Sequence, residues 1–475
     1  MRALALAALV LIAGPAFGAS LWTEKQTEVA FDAQVLADLM AKVVNAAEVT
    51  VEGRRYELAV DRAGTSMLGV EQVQGRLDGD ADSFFLLCRS GEGLVALLNV
   101  PDAGTYKLDR SGGALSLRPV DSMPLGSCGG GLGPNDLPRL PGGPHPPAQP
   151  QPDTAKAGPV ADGGSRHDVL IAYTPNAESY MGGTAQILAE AQLSVDVANQ
   201  AYGNSAIGSE LRLVHVVETQ YDENLAWEYL DHVNYLYYPD DGQMDELPPL
   251  RDRVGADFVS LFIDGRDALG DVYTCGIAPV MSSDRIQPWF EIQAISVISV
   301  QCASAKWSFA HEVGHNRGCA HNREDAGIDG AYPYSYGHRF DVGANGYRTV
   351  MAYDNSNGDY TRIAHFSNPD IDWAGIATGV PVGWSGEAHN AQTHNQTSAL
   401  CAGFRAERTF VQFGWTDPST GLLAAPFATI PNAVSEARDG GHIVLMNGDA
   451  SLTGTLGGPH TYVTDEAGGV VLGGN

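Results

Sequence analysis

Residues 309–321 read FAHEVGHNRGCAH and contain the spacing HExxHxxGxxH. If residues 303–317 are helical, His311 and His315 stand four positions apart, about 40° beyond one full turn, so both imidazoles leave the same face. Such a face can hold one metal ion between the two rings. Glu312, adjacent to the first histidine, reaches the far side of a water on that ion, the position of a general base. Gly318 ends the helix, because glycine takes a left-handed conformation at little steric cost, and the sharp turn returns His321 as a third nitrogen ligand. Three neutral nitrogens leave one tetrahedral position of Zn²⁺ open to water, whose pKa falls to about 7 in such sites. The chemistry implied is metal-assisted hydrolysis with zinc as cofactor.

A bare HExxH also occurs on buried helices whose histidines are merely hydrogen-bonded. The longer pattern is much harder to reach by accident. With 56 Gly and 13 His among 475 residues, requiring both at fixed offsets lowers the chance by a further factor of about three hundred.

HEVGHNRGCAH resembles the zinc signature of the metzincin peptidases. That resemblance implies a methionine turn beneath the metal, downstream of the third histidine, and Met351 in TVMAY fits it. An isolated methionine is usually ordinary core filler; the resemblance instead puts Met351 under the histidines without a bond to the metal. Tyr353 is expected either to hydrogen-bond a ligand or the reacting oxyanion, or to form an aromatic wall. YTPNA, AYGNS, LRDRVGAD and CGIA resemble the bacterial reprolysin-like (adamalysin-type) branch, with the peptidyl-Asp metallopeptidases a nearby group. HFSNPD at 365–370 resembles a stretch that lines the specificity pocket there. Two residues depart from the reprolysin pattern: Asn322 stands where aspartate is common, and Arg317 where an apolar residue usually precedes the glycine. Neither removes a ligand. His338, His365, His389 and His394 lack ligand spacing and read as surface or second-layer residues.

Several elements must position this motif. At 475 residues the chain is too long for one compact core, and 44% hydrophobic with 18% charged residues are globular values. Residues 1–18, MRALALAALVLIAGPAFG, read as a secretory signal. No later run is apolar enough to span a membrane, so the expected location is secreted or extracellular, or periplasmic by export. The formal net charge of −29, without a basic stripe, argues against nucleic acid and anionic membranes as partners and leaves protein or peptide substrates.

Residues 19–128 carry a short amphipathic helix (31–44) and then alternating strands such as VTVEGRRYELAV and FFLLCRSGEGLVALLNV. A β-rich segment in this place resembles a reprolysin propeptide; an independent binding domain is the plainer alternative. Residues 129–165 are a Pro/Gly-rich linker where processing could occur. Residues 166–406 alternate strands and helices, an α/β (α+β) order that resembles the metzincin catalytic domain with its twisted mixed sheet and active-site helix. Residues 407–475 resemble the opening of a parallel β-helix, a candidate for polysaccharide or surface contact.

Six cysteines in an exported chain read first as disulfides. Cys88 and Cys128 can pair with each other, or one can occupy the open metal position as a thiolate and hold the enzyme latent. Cys128, in SCGGGLG, is the candidate for that cysteine switch. Resemblance to snake-venom-like reprolysins implies Cys302 with Cys401, leaving Cys275 with Cys319. DGDAD at 78–82 and the acidic turn around Asp240 are weak candidates for structural Ca²⁺. The function expected is a secreted zinc endopeptidase made as a proenzyme. The rival is a catalytically weak or inactive peptidase-fold binding protein, targeted by its C-terminal module.

Overall fold

The computed structural model describes residues 19–25, 28–101, 103–133, 136–137, 165–267, 269–355, 358, 360–446, 448–450, 458–465 and 470–472. The expected signal at 1–18 and most of the Pro/Gly-rich stretch lie outside these residues. Among the described residues no helix is long and apolar enough to cross a membrane.

The chain begins with a nine-stranded sheet, running from Ser20–Lys25 to Ala114–Pro119, in which spatial order nearly repeats sequence order. Its helix is Ala33–Met40, shorter than the pattern over 31–44 suggests, because Asp32 accepts from Gln34 N and Val35 N as the N-cap. Strands Phe84–Ser90 and Gly93–Val100 are apolar at almost every position, and the reason is period-two burial on both faces. Phe85, Leu87, Leu94, Ala96 and Leu98 pack with Trp22 and Leu36 in the sheet's own core. Phe84, Leu86, Cys88, Val95 and Leu97 enter the large core around helix Thr184–Asn204.

Buried polar contacts fix that docking. Lys107 and Glu190, 3% and 2% exposed, form an ion pair joined by the Ser304 hydroxyl. Gln186 accepts from Leu94 N at 2.9 Å and donates to Leu94 O at 2.8 Å, reading the backbone of an inner strand. Gln72 and the Cys88 thiol both donate to Asp196, at 2.7 and 3.2 Å.

The second sheet has six strands in the order Gly131–Leu132, Gly276–Pro279, Ile295–Ser299, Phe258–Ile263, Arg166–Tyr173, Glu210–Glu218. The four from Ile295–Ser299 onward are parallel, and Gly276–Pro279 is antiparallel to its inner neighbour. The sheet is thus mixed, with Thr184–Asn204 on one face. Helix Ser308–Asn316 packs against Gly276–Pro279 and Ile295–Ser299. Past it the strands are short, in pairs or threes. Near the C-terminus Arg408–Val411, His442–Leu445 and Thr461–Thr464 stack in parallel, in register. Glu407, 4% exposed, ties them to the second sheet through Arg166 and Arg212.

The cysteine pairing differs from expectation. Cys275 is bonded to Cys302, while Cys88, Cys128, Cys319 and Cys401 are free and buried. Sheet register is the cause: Gly276 pairs with Ile298, so the residue before one strand and the turn after its antiparallel neighbour come together, with Cα atoms 5.4 Å apart. His365 and His394 are also not surface residues. His394 is fully buried against Phe366 and Tyr202, and His365 is 8% exposed against Trp373. In the two acidic loops the carboxylates cap backbone amides: Asp80 accepts from Asp82 N and Ser83 N, and Asp245 from Asp240 N and Gly242 N.

Candidate metal centre

Trp307, with a left-handed φ of 53°, turns the chain abruptly into the helix Ser308–Asn316, every residue of which is buried. The helix is shorter than 303–317 because 301–306 form tight turns. His311 and His315 project from one face, and Gly318, at φ 91°, reverses the chain so that Ala320–Asn322 brings His321 back. His321 Nε2 lies 3.1 Å from His311 Nε2 and 3.0 Å from His315 Nε2.

The outer ring nitrogens decide what those short distances mean. His311 Nδ1 faces Val350 O at 2.9 Å and His315 Nδ1 faces Cys319 O at 2.8 Å. A carbonyl only accepts, so each Nδ1 carries the proton and each Nε2 presents a lone pair to the centre. Burial, first of all, holds the pKa of His311 and His321 well below the usual range and that of His315 at about 4. Three neutral rings with converging lone pairs repel one another unless a cation sits between them. The donor set therefore fits a zinc ion, with the two carbonyls orienting its ligands.

Glu312 is fully buried and neither carboxylate oxygen has a hydrogen-bond partner of normal geometry. Burial pushes its pKa up to about 8, against the Cys128 thiol and the Arg362 guanidinium, which lower it. Met351 is fully buried below the helix; a Cβ on Gly314 would sit 2.5 Å from its sulfur, so only glycine fits between the two histidines there. The Tyr353 ring lies 3.9 Å from the His321 ring, and its hydroxyl donates to Cys128 O at 2.9 Å. Asn322 Oδ1 accepts from Tyr353 N at 3.0 Å, tying the third histidine's strand to the methionine turn by an acceptor that asparagine supplies as well as aspartate. Arg317, fully buried, donates to Ser209 Oγ and His394 O and stacks over Tyr202, so its guanidinium replaces an apolar plug.

Cys128 comes to the same place. Its sulfur, a His311 nitrogen and a Glu312 oxygen all lie within 4.8 Å of one another. The chain around it forms an added strand in the cleft: Leu125–Ser127 runs parallel to Val272–Thr274, and Gly131–Leu132 parallel to Gly276–Pro279. Cys275 N donates to Ser127 O and Gly129 N to Gly276 O. The glycines of SCGGGLG read as flexibility in sequence, but close approach requires them. A Cβ on Gly131 would meet Val280 Cγ2 at 2.3 Å and His315 Cε1 at 3.3 Å. HFSNPD lies mostly inward: Phe366 packs under Gly314, and Asn368 Nδ2 donates to Ser205 O. Sequence reasoning gave no signal for Ser308, Arg348 or Arg362, which surround Glu312 and the methionine turn.

Residues 165–380 match the family described as Metallo-peptidase family M12B Reprolysin-like. Curated relatives bear the name peptidyl-Asp metalloendopeptidase. One from Stenotrophomonas maltophilia (strain R551-3) is 31% identical over 238 residues, covering 50% of this chain and 52% of that protein. One from Xanthomonas campestris pv. campestris is 33% identical over 238 residues, covering 50% and 51%. A third, from Pseudomonas aeruginosa, is 29% identical over 253 residues, covering 50% and 40%. The chain spans about half the length of the first two relatives, or less for the third.

Proposed function

We propose, on the premise that residues 165–380 are a reprolysin-like metallopeptidase domain, that the chain is an exported zinc endopeptidase made as a proenzyme. The observation that carries the reading is the convergence of three Nε2 lone pairs beside an unpartnered buried carboxylate. His311, His315 and His321 would hold zinc, which supplies Lewis acidity toward the scissile carbonyl and an acidified water. Glu312 then acts as general base: it takes a proton from the attacking water, whose oxygen bonds to the carbonyl carbon, and delivers that proton to the amine nitrogen as the C–N bond breaks. Tyr353 donates to the carbonyl of Cys128, which supports reading the same hydroxyl as a donor to a substrate carbonyl.

Residues 19–128 are read as the propeptide, and Cys128 as the group that keeps the enzyme latent. Its nearness to His311 and Glu312 supports that role, as does the strand that fills the cleft around it. The relatives' name carries a substrate, and we extend it to this chain: cleavage beside an aspartate. Casein hydrolysis by the processed chain, with and without a chelator, tests the reading. Cleavage that a chelator abolishes and added zinc restores is expected; cleavage indifferent to the chelator, or none under any condition, would refute it.

A further inference from the structure

Three cationic side chains, Lys306, Arg348 and Arg362, gather behind the candidate metal centre, with Asp121, Asp354 and Glu312 the acids in electrostatic range. Strands Asn345–Arg348 and Tyr360–Arg362 pair in parallel with Arg348 opposite Arg362. Like charges directly opposite one another are unfavourable, yet both side chains turn to one point. Arg348 Nη1 donates to Ala352 O at 2.9 Å and Arg362 Nη2 to the same oxygen at 3.5 Å. That carbonyl sits between Met351, under the histidines, and Tyr353, over His321. Arg362 also donates to the backbone carbonyl of Lys306, just before the histidine helix, and the Lys306 side chain lies in electrostatic range of both arginines. Among the described residues no carboxylate forms an ion pair with Lys306, Arg348 or Arg362, whereas other arginines of this chain do so repeatedly. Asp354, an acid on the same turn, has Oδ1 engaged by Asn355 N and Tyr360 N, both at 2.9 Å.

Bracing one carbonyl does not need two guanidinium groups, and the donors left over point to a ligand. Ser308 is fully buried with its hydroxyl unpartnered, and Arg362 Nε is likewise buried without an acceptor. Ser308 precedes Glu312 by four positions and so shares its helix face. The Cys128 thiol is within interaction range of Ser308, Glu312 and Arg362, so the three groups gather around it. Burial, with Arg362 next, pushes Arg348 down to about 9, against Asp354 and Asp121, which raise it.

We propose that Arg362 and Ser308, backed by Lys306 and Arg348, form the receptor for an acidic side chain next to the scissile bond. This deepens the peptidase reading and rests on it. A carboxylate there would accept from Arg362 Nε and Ser308 Oγ, two buried donors without a partner, and would bring a negative charge beside the guanidinium. A neutral amide of the same shape would accept from only one of the two donors, turn its NH2 toward the other and bring no charge. In the unprocessed chain the Cys128 thiol lies among these groups.

The test compares two fluorogenic peptides that differ only by Asp or Asn beside the scissile bond, using the processed full chain. The wild type is expected to prefer Asp in kcat/KM by about a hundredfold or more. Arg362→Gln should bring the ratio close to one, chiefly by losing rate on the Asp peptide. Ser308→Ala should reduce the ratio about tenfold with zinc content unchanged. A wild type that cleaves but shows no Asp preference sinks the aspartate reading together with this one. A wild type that prefers Asp while both variants keep that preference overturns the receptor alone. No cleavage of either peptide by the wild type defeats the peptidase reading itself. If Arg362→Gln does not fold, Ser308→Ala decides: a lowered ratio supports the assignment and an unchanged one rejects it.

Discussion

The Tyr353 hydroxyl donates a 2.9 Å hydrogen bond to the carbonyl of Cys128, joining the methionine turn to a segment 225 positions earlier in the chain. Through that bond the ring packed at a tilt over His321 also holds the added strand. On the proposed reading latency and chemistry share atoms, so changes on either side should be felt on the other.

Replacing Cys128 by Ala is expected to raise the activity of the unprocessed chain several-fold or more toward that of the processed form. The thiol is pushed well above its usual pKa by burial first and by Glu312 next, so its thiolate needs a facing cation to persist. Initial rates on a fluorogenic peptide, with chain length checked by electrophoresis, measure the effect. An uncleaved Cys128→Ala chain as silent as the wild type would remove Cys128 from the latency mechanism.

Lys107→Met should leave Glu190 buried and unpaired, at a cost of about 3–5 kcal/mol. The Lys107→Met, Glu190→Leu double variant should recover most of that loss, since an apolar pair of similar volume needs no counter-ion. Urea unfolding of the three chains checks this. Equal midpoints for the wild type and the single variant would show that the pair does not hold the N-terminal sheet to helix Thr184–Asn204.

At Gly314, alanine places a methyl group 2.5 Å from the Met351 sulfur. Overpacking of this kind typically costs about 1–3 kcal/mol, and here it would also spread His311 and His315. A lowered melting temperature together with weaker zinc retention against a competing chelator is expected. Normal retention in Gly314→Ala would mean that Met351 does not set the spacing of the histidines.

Removal of metal should make stability depend steeply on pH. The three histidines have pKa values depressed by burial, His315 to about 4. Between the ordinary value near 6.5 and the depressed one the unfolded chain binds more protons, so stability falls as pH falls through that window. His315 alone contributes about 3 kcal/mol across it. Denaturant melts of chelator-treated protein at pH 7 and pH 4.5 give the comparison, and equal midpoints would contradict neutral, buried rings.

Much of the site is readable from local pattern. The spacing of His311, Glu312, His315 and His321 depends only on helix geometry and one positive-φ glycine, so nothing distant can alter it. The strands near the motif are also plain, because a buried parallel strand such as Phe258–Ile263 is apolar throughout. What sequence did not reveal depends on register between remote segments. Cys275 meets Cys302 because two strands align, and no spacing rule contains that. Gly131 is glycine because another strand and His315 pass within contact distance, while in sequence it looks like slack. Arg348 and Arg362 look like ordinary surface charges until pairing puts them side by side.

The most direct test of the central claim is zinc K-edge X-ray absorption on the unprocessed chain beside its Cys128→Ala variant. Three nitrogen neighbours at about 2.0–2.1 Å and one sulfur at about 2.3 Å are expected in the first, with oxygen replacing the sulfur in the second. Fewer than three nitrogen neighbours, or a chain that takes up no zinc, would contradict the account.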